Sequence, residues 1–477
     1  MGREGIDILL VQPEQGSFVY RRIFHPGVEI PLNLLCLAGY VGREGIESRI
    51  LDLRIKKGAG EEVLRGWLRE LKPRVVGISA CTTEVENAGE VARVVRQESG
   101  GRVPVLLGGH HASAVPEETL GTYPEVDYLI CGEGEVALTE FMRLYLGGQD
   151  VRGAKSLVYR EGEGVVRNVL AEQIRDLDSL PLQPRGMVEL DKYVPSPGTG
   201  NYMRLPSTGI VSSRGCPYNC HYCSKGVYHR TIRFRSPENV VAEMEDCMGR
   251  YGIRDFRFYD DVLTYPKWDL ERFCGLILER GLDVTWNCYS RVNHITLSKL
   301  EMMKRAGCYH IKYGIEFGTE KALILANKQA TLAQAREAVR LTKQVGIECK
   351  GNFILGIPGE DLEDCRKTVA FARELSPDLV SFYPHDVFPG THFYHLLQQP
   401  GSELKMLPRE ETEELAYRAY LSFYLRPSYM LQRARRVSAH PKRELQVVWS
   451  GLYMMGRFYL KSGWQFLSHR RDALTHP

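Results

Sequence analysis

Three cysteines in the stretch SSRGCPYNCHYCSKG, Cys216, Cys220 and Cys223, form a C-x3-C-x2-C run. A structural zinc site takes four ligands, usually completed by a second pair of Cys or His, and no such pair follows nearby. A [4Fe–4S] cluster usually takes four cysteines. Three thiolates would hold three irons and leave the fourth open, and an open metal position is the mark of a catalytic site. The other nine of the twelve cysteines are scattered singly, mostly in apolar runs, where a thiol behaves as a small core hydrophobe.

These residues need a scaffold, and the chain supplies α/β patterning. In the first 150 residues the apolar runs IDILLVQP, SRILDL, VVGISA, VPVLLGGHH and VDYLICGEGE alternate with helical segments. Continuous apolar runs read as buried parallel strands, and the alternation implies βαβ units. A five-stranded, doubly wound, flavodoxin- or Rossmann-like domain is expected over residues 1–148. Ligands of such a sheet sit at the carboxyl ends of its strands, here QPEQGSF, SACTTE, GGHHAS and GEGE. Residues 149–205 read as a linker containing a hairpin. A second α/β run over 206–398, with six strand candidates from STGIVSS to DLVSFYPHDVF, implies a partial, TIM-like (β/α)6 barrel. Its chemistry belongs at the strand C-termini. Residues 399–477 read as helical and mix aromatics with Arg and Lys.

The composition is that of an ordinary globular protein, with 43% hydrophobic and 25% charged residues, and a net charge of +3 over 477 residues gives no sign of a nucleic-acid partner. No secretory signal and no apolar run long enough to span a bilayer is expected. The setting is therefore expected to be cytoplasmic. The basic, aromatic C-terminal region leaves two readings open: a helical cap on the barrel, or peripheral contact with a membrane.

The cysteine run after the first strand of a partial barrel resembles the radical S-adenosylmethionine (AdoMet) superfamily. The resemblance implies a [4Fe–4S] cluster on Cys216, Cys220 and Cys223, with AdoMet completing the open iron. It also implies AdoMet contacts from Tyr222, Asp260, Asp261, Arg291, Glu316 and the GNFILGIPGED turn with Gly356 and Pro358. Five elements in order over roughly 200 residues carry it. The first domain resembles the cobalamin-binding domain that precedes this barrel in one subclass. That implies cobalamin contacts from Gln12, Ser79, Thr82, Gly108, Gly109, His110, Gly132 and Gly134, since glycine loops let backbone approach a large ring. The Asp-x-His-x-x-Gly motif that brings histidine to cobalt is absent. Only His25, His110 and His111 lie nearby, so cobalamin without a protein His ligand is expected.

This resemblance implies methylation of an unactivated carbon of a small, lipid-like or tetrapyrrole substrate, through a 5′-deoxyadenosyl radical and methylcobalamin. A non-methylating cyclase or ring rearrangement stays open as an alternative. A methylthiotransferase, which would use Cys36, Cys81 and Cys131, and a non-catalytic sensor fit the surrounding residues less well. A one-electron donor such as flavodoxin or ferredoxin is the implied partner.

Overall fold

The computed structural model describes residues 5–15, 27–56, 58–195, 202–437 and 444–445. Its first sheet has seven strands: β1 (Ile8–Gln12), β2 (Ser48–Asp52), β3 (Val75–Ser79), β4 (Val105–Gly108), β5 (Tyr128–Ile130), β6 (Leu157–Glu161) and β7 (Gly164–Arg167). Their spatial order is β2-β1-β3-β4-β5-β6-β7. The first five are parallel, and β1 is buried along its whole length because helices cover both faces. Two apolar cores result, one per face. Leu9, Val76 and Leu107 head one, and Ile8, Leu10 and Leu106 the other.

This domain differs from the expected five strands. The hairpin expected in the linker is β6–β7, and it extends the sheet. Leu129 and Ile130 pair antiparallel with Val158 and Leu157, and Asn168 Nδ2 donates to the carbonyls of Arg152 and Ala154. Val158 and Leu157 are buried, one in the core on each face of the sheet, so the hairpin belongs to the first domain.

The second sheet contains β8 (Ser207–Ile210), β11 (Asp255–Phe258), β12 (Thr285–Ser290), β13 (Cys308–Glu316), β14 (Glu348–Leu355) and β15 (Leu379–Pro384), all parallel and in chain order. A short antiparallel ribbon, β9 (Ser213–Arg214) with β10 (Arg233–Phe234), flanks the cysteine loop. β8 and β15 are the two edges, so the barrel is open. Its helices start where the sequence caps them. Ser236 Oγ accepts from Asn239 N ahead of Pro237–Tyr251. Thr331 with Gln334, and Asp361 with Asp364, form capping boxes for Leu332–Val345 and Leu362–Leu375. The main core lies between sheet and helices, with Ile311, Tyr313, Cys349, Phe353 and Phe382 pointing outward into it.

The described part of the C-terminal region is a cap. The helix Arg409–Tyr424 packs on β15, where Tyr420 Oη accepts from Phe382 N at 3.0 Å and Tyr424 Oη accepts from Val380 N at 3.0 Å. These hydroxyls satisfy the edge strand that the open barrel would otherwise expose. The stretch VVWSGLYMMGRFYLKSGWQFL lies outside the described residues apart from its surroundings at 444–445. No described helix is long and apolar enough to cross a membrane.

Candidate functional site

The order β2-β1-β3 places the topological switch between β1 and β3, where a doubly wound sheet binds its ligand. Gln12 ends β1 and Ser79 ends β3. Asn33 Nδ2 joins them, donating to Ser79 Oγ at 2.9 Å and to Gln12 Oε1 at 3.4 Å, while Gln12 Nε2 donates to Glu84 Oε2. Above them opens a cavity of about 550 Å³, within the usual range for a cofactor site.

Gln12, Ser79, Gly108, Gly109, His110, Gly132 and Gly134 all line this cavity. Thr82 does not. Its Oγ1 sits 3.2 Å from His111 Nδ1 and braces the helix start. His25 lies outside the described residues. Gly109 has φ +101°, and a Cβ there would stand 2.6 Å from Ala80 O, so only glycine fits. Gly132 has φ +84° with open space before it. Backbone can thus approach a large flat group closely at both loops. The glycine loops and the cavity fit a large flat group such as a corrinoid, and His110 is among the residues lining it.

The opposite wall comes from the barrel: Gly215, Cys223, Ser224, Lys225, Tyr259 and Asp261. Cavity walls desolvate His110 and push its pKa down, with Asp261 pulling the other way. The two halves therefore face each other across one space.

Cys216, Cys220 and Cys223 occupy the loop between β9 and β10, the first two buried and the third half-buried. Burial pushes the Cys223 thiol up, and Lys225 opposes it. Among the described residues no three ligating side chains close on a single point.

The loop is braced on both sides. Asp260, 1% exposed, accepts from Ser212 N at 3.1 Å, Ser212 Oγ at 2.7 Å and Ser213 Oγ at 2.5 Å. On the far side His221 N–H donates to Ala326 O, and Asn327 Nδ2 donates to Asn219 O at 3.0 Å. Asp260 and Asp261, read together from sequence, thus separate: Asp260 is spent on the loop and Asp261 faces the cavity.

Tyr222 and Glu316 meet through a residue that sequence reading missed. Lys328 Nζ donates to Tyr222 Oη and to Glu316 Oε1, both at 3.1 Å. Glu316 follows a bulge in β13 and holds φ +70°, a conformation that costs a non-glycine residue energy and recurs at functional sites. Arg291 donates to Lys328 O and Gln329 O, lies 3.6 Å from the Tyr218 ring centroid, and reaches Cys220 Sγ at 3.7 Å. Its fork is therefore committed to protein groups as well as the cysteine loop. Gly356 and Pro358 shape the turn after β14, where Glu360 Oε2 accepts from Gly356 N and Ile357 N.

The junction of the halves carries buried charges. Arg214, on the ribbon, pairs with Glu135 and with Glu133 and reaches Cys36 Sγ at 3.1 Å. Arg233 pairs with Glu133. The carboxylates of GEGE, interleaved with its glycines, thus clamp the first domain to the cysteine ribbon. Arg257 pairs with Glu29 across the same junction.

A family profile described as the B12 binding domain matches residues 25–142, and one described as the radical SAM superfamily matches residues 210–372. The chain is 30% identical over 447 residues to a Pyrococcus horikoshii protein named as an uncharacterized methyltransferase, covering 89% of this chain and 94% of that one. It is 29% identical over 435 residues to the anaerobic magnesium-protoporphyrin IX monomethyl ester cyclase of Cereibacter sphaeroides, covering 86% and 70%. Its fold is similar to that of the radical S-adenosylmethionine methyltransferase TsrM of Kitasatospora setae, solved with cobalamin and a [4Fe–4S] cluster. That match has a TM-score of 0.66 at 21% identity and covers 82% of this chain and 74% of that one.

Proposed function

The chain belongs to the cobalamin-binding radical SAM enzymes, and from that premise we propose that it methylates an unactivated carbon of a small, lipid-like or tetrapyrrole substrate. The observation that carries this reading is the single cavity walled by the switch-point loops on one side and by Cys223 and Asp261 on the other. Transfer between two cofactors requires reacting groups held near contact, and one shared space provides that.

Cys216, Cys220 and Cys223 hold the cluster, and Gln12, Ser79, Gly108, Gly109, His110, Gly132 and Gly134 receive the corrinoid. When bound, the cluster supplies the electron that cleaves AdoMet and the corrinoid carries the methyl group. Asp261 offers an acceptor to the AdoMet ammonium. Glu316, held by Lys328, offers one to the ribose, and Tyr222 lies beside them. Asp260 keeps the loop in place. A low-potential one-electron donor such as flavodoxin or ferredoxin completes the system.

The test is anaerobic incubation of reconstituted protein with methyl-labelled AdoMet and reductant. Formation of both 5′-deoxyadenosine and S-adenosylhomocysteine is expected, with both lost when Cys216, Cys220 and Cys223 are replaced by Ala. Deoxyadenosine without S-adenosylhomocysteine would favour the non-methylating cyclase reading, which the likeness to the Cereibacter sphaeroides enzyme supports. Absence of deoxyadenosine would sink both.

A further inference from the structure

The inward face of the barrel strands is unusually cationic. Successive strand residues alternate faces. Ile311, Tyr313, Cys349 and Phe353 point out into the helix-facing core. Lys312, on β13, and its register partner Lys350, on β14, therefore point into the lumen. Arg257, on β11, joins them there beside Tyr259 and Tyr289.

Among the described residues no carboxylate pairs with Lys350. Glu29 is already paired with Arg257. Glu348, one pleat below Lys350, is taken by His310 and Arg433. Asp255 accepts from Met203 N, Arg204 N and Thr285 Oγ1. Lys312 donates to Asn287 Oδ1 at 3.2 Å. Lys350 is 6% exposed and, among the described residues, has neither a hydrogen-bond acceptor nor an ion-pair partner. A buried ammonium without a partner is costly and is normally matched by an anion.

We propose that the barrel lumen binds an oxyanion of the substrate, a carboxylate or a phosphate-type group, with Lys350 as its counter-ion and Lys312 beside it. This rests on the enzymatic reading above and names the substrate class for it. AdoMet does not supply the anion. Its candidate contacts Gly356 and Pro358 follow the far end of β14, and Lys350 lies six residues before Gly356, roughly 20 Å of strand. Lys312 lies four residues before Glu316, about 13 Å. The substrate is accordingly an extended acid, its charged end deep in the lumen and its reacting carbon at the mouth. Arg257 links the lumen to the shared cavity, since Glu29 and Tyr259 line that cavity and both contact this arginine. Burial and Arg257 depress Lys350 to about 7, and a bound anion would restore its proton.

The test is thermal unfolding of the reconstituted full-length protein at low ionic strength. The probes are sodium phosphate, sodium propionate and sodium chloride at matched ionic strength. Phosphate or propionate should raise the midpoint beyond chloride, and the stronger of the two identifies the oxyanion. Lys350→Met should weaken that apparent affinity by at least about tenfold, the worth of one charged hydrogen bond. Lys350→Arg should retain it. The Met variant removes an unpaired buried charge, so without anion it should melt no lower than wild type. Equal anion gains in wild type and Lys350→Met would overturn the proposal, as would gains no larger than chloride gives. Failure of the enzymatic reading shows separately, as absence of deoxyadenosine from wild-type protein whatever the anion does.

Discussion

Replacing Arg214 by Met tests whether the first domain is held to the cysteine ribbon by charge. Arg214 and Glu135 are 8% and 6% exposed at their side chains. Burial alone would raise the Glu135 pKa, but Arg214 outweighs it and the net shift is downward. Removing Arg214 strands this carboxylate, with Cys36 Sγ, 3.2 Å away, and its own backbone N–H still donating to it. Glu133 keeps Arg233, so the loss falls on Glu135. Breaking one half of a buried pair costs about 3–5 kcal/mol, roughly two to nearly four powers of ten in a local opening constant. The loss is local to the junction, so the measurement is amide exchange, which reads each segment separately. Protection should fall by roughly 10²–10⁴ in both the helix Gly134–Leu146 and the β9–β10 ribbon, with β14 unchanged. The double variant Arg214→Met with Glu135→Leu leaves no charge behind and should recover about 2 kcal/mol or more. The sign with pH follows from the lowered Glu135 pKa. The pair's contribution is present above the unfolded value of 4.5 and is lost as pH falls through the folded one. Equal loss in single and double variants, or a response in only one of the two segments, would refute the clamp.

Two other perturbations follow from the site. Asp260→Ala removes the acceptor of Ser212 N, Ser212 Oγ and Ser213 Oγ, costing about 3 kcal/mol at roughly 1 per hydrogen bond. Iron per chain after reconstitution should drop, whereas Asp261→Asn should keep its iron and bind AdoMet about tenfold more weakly; the reverse pattern would exchange their roles. Burial raises Glu360 to about 7 against the hydrogen bonds from Ile357 N and Gly356 N. A raised carboxyl contributes stability below its unfolded value of 4.5 that is lost as pH rises toward 7. The melting temperature should decline across that window and Glu360→Gln should flatten the decline; an unchanged profile in the variant would remove Glu360 as its source.

What could be read from sequence was local. Cys216, Cys220 and Cys223 lie on one loop, so their spacing alone declares a shared metal. Ile8 to Val11 form a continuous apolar run, which only a strand buried on both faces explains. The junction was not readable this way, because Arg214 and Glu135 are 79 residues apart and each looks like an ordinary surface charge. Glu133 and Glu135 were passed over in favour of the glycines between them. The pairing of β5 with β6 was hidden by the helix Gly134–Leu146 that separates them in sequence. Lys328 joins Tyr222 to Glu316 from a loop with no motif of its own. For the lumen a signal was present. His310, Lys312, Gly314 and Glu316 alternate with apolar residues along a nine-residue strand. A parallel strand covered by helices should be apolar on both faces. Polar alternation there means that its second face meets a polar interior.

That interior also bears on how the substrate is chosen. The aromatic and basic residues after 400 read as either a cap on the barrel or a membrane face. The described ones are committed elsewhere: Tyr420 and Tyr424 to the β15 edge, Phe423 to the main core and Arg433 to Glu348. None of these lines the shared cavity. Recognition by the described residues therefore falls to groups inside the barrel, where Lys312 and Lys350 act on charge rather than on hydrophobic area. Charge at depth discriminates strongly, because a neutral analogue would leave the ammonium buried and unpaired and lose the whole of that interaction. Sensitivity to the ester or amide form of a candidate acid should then exceed sensitivity to changes at the end nearer the cysteine loop.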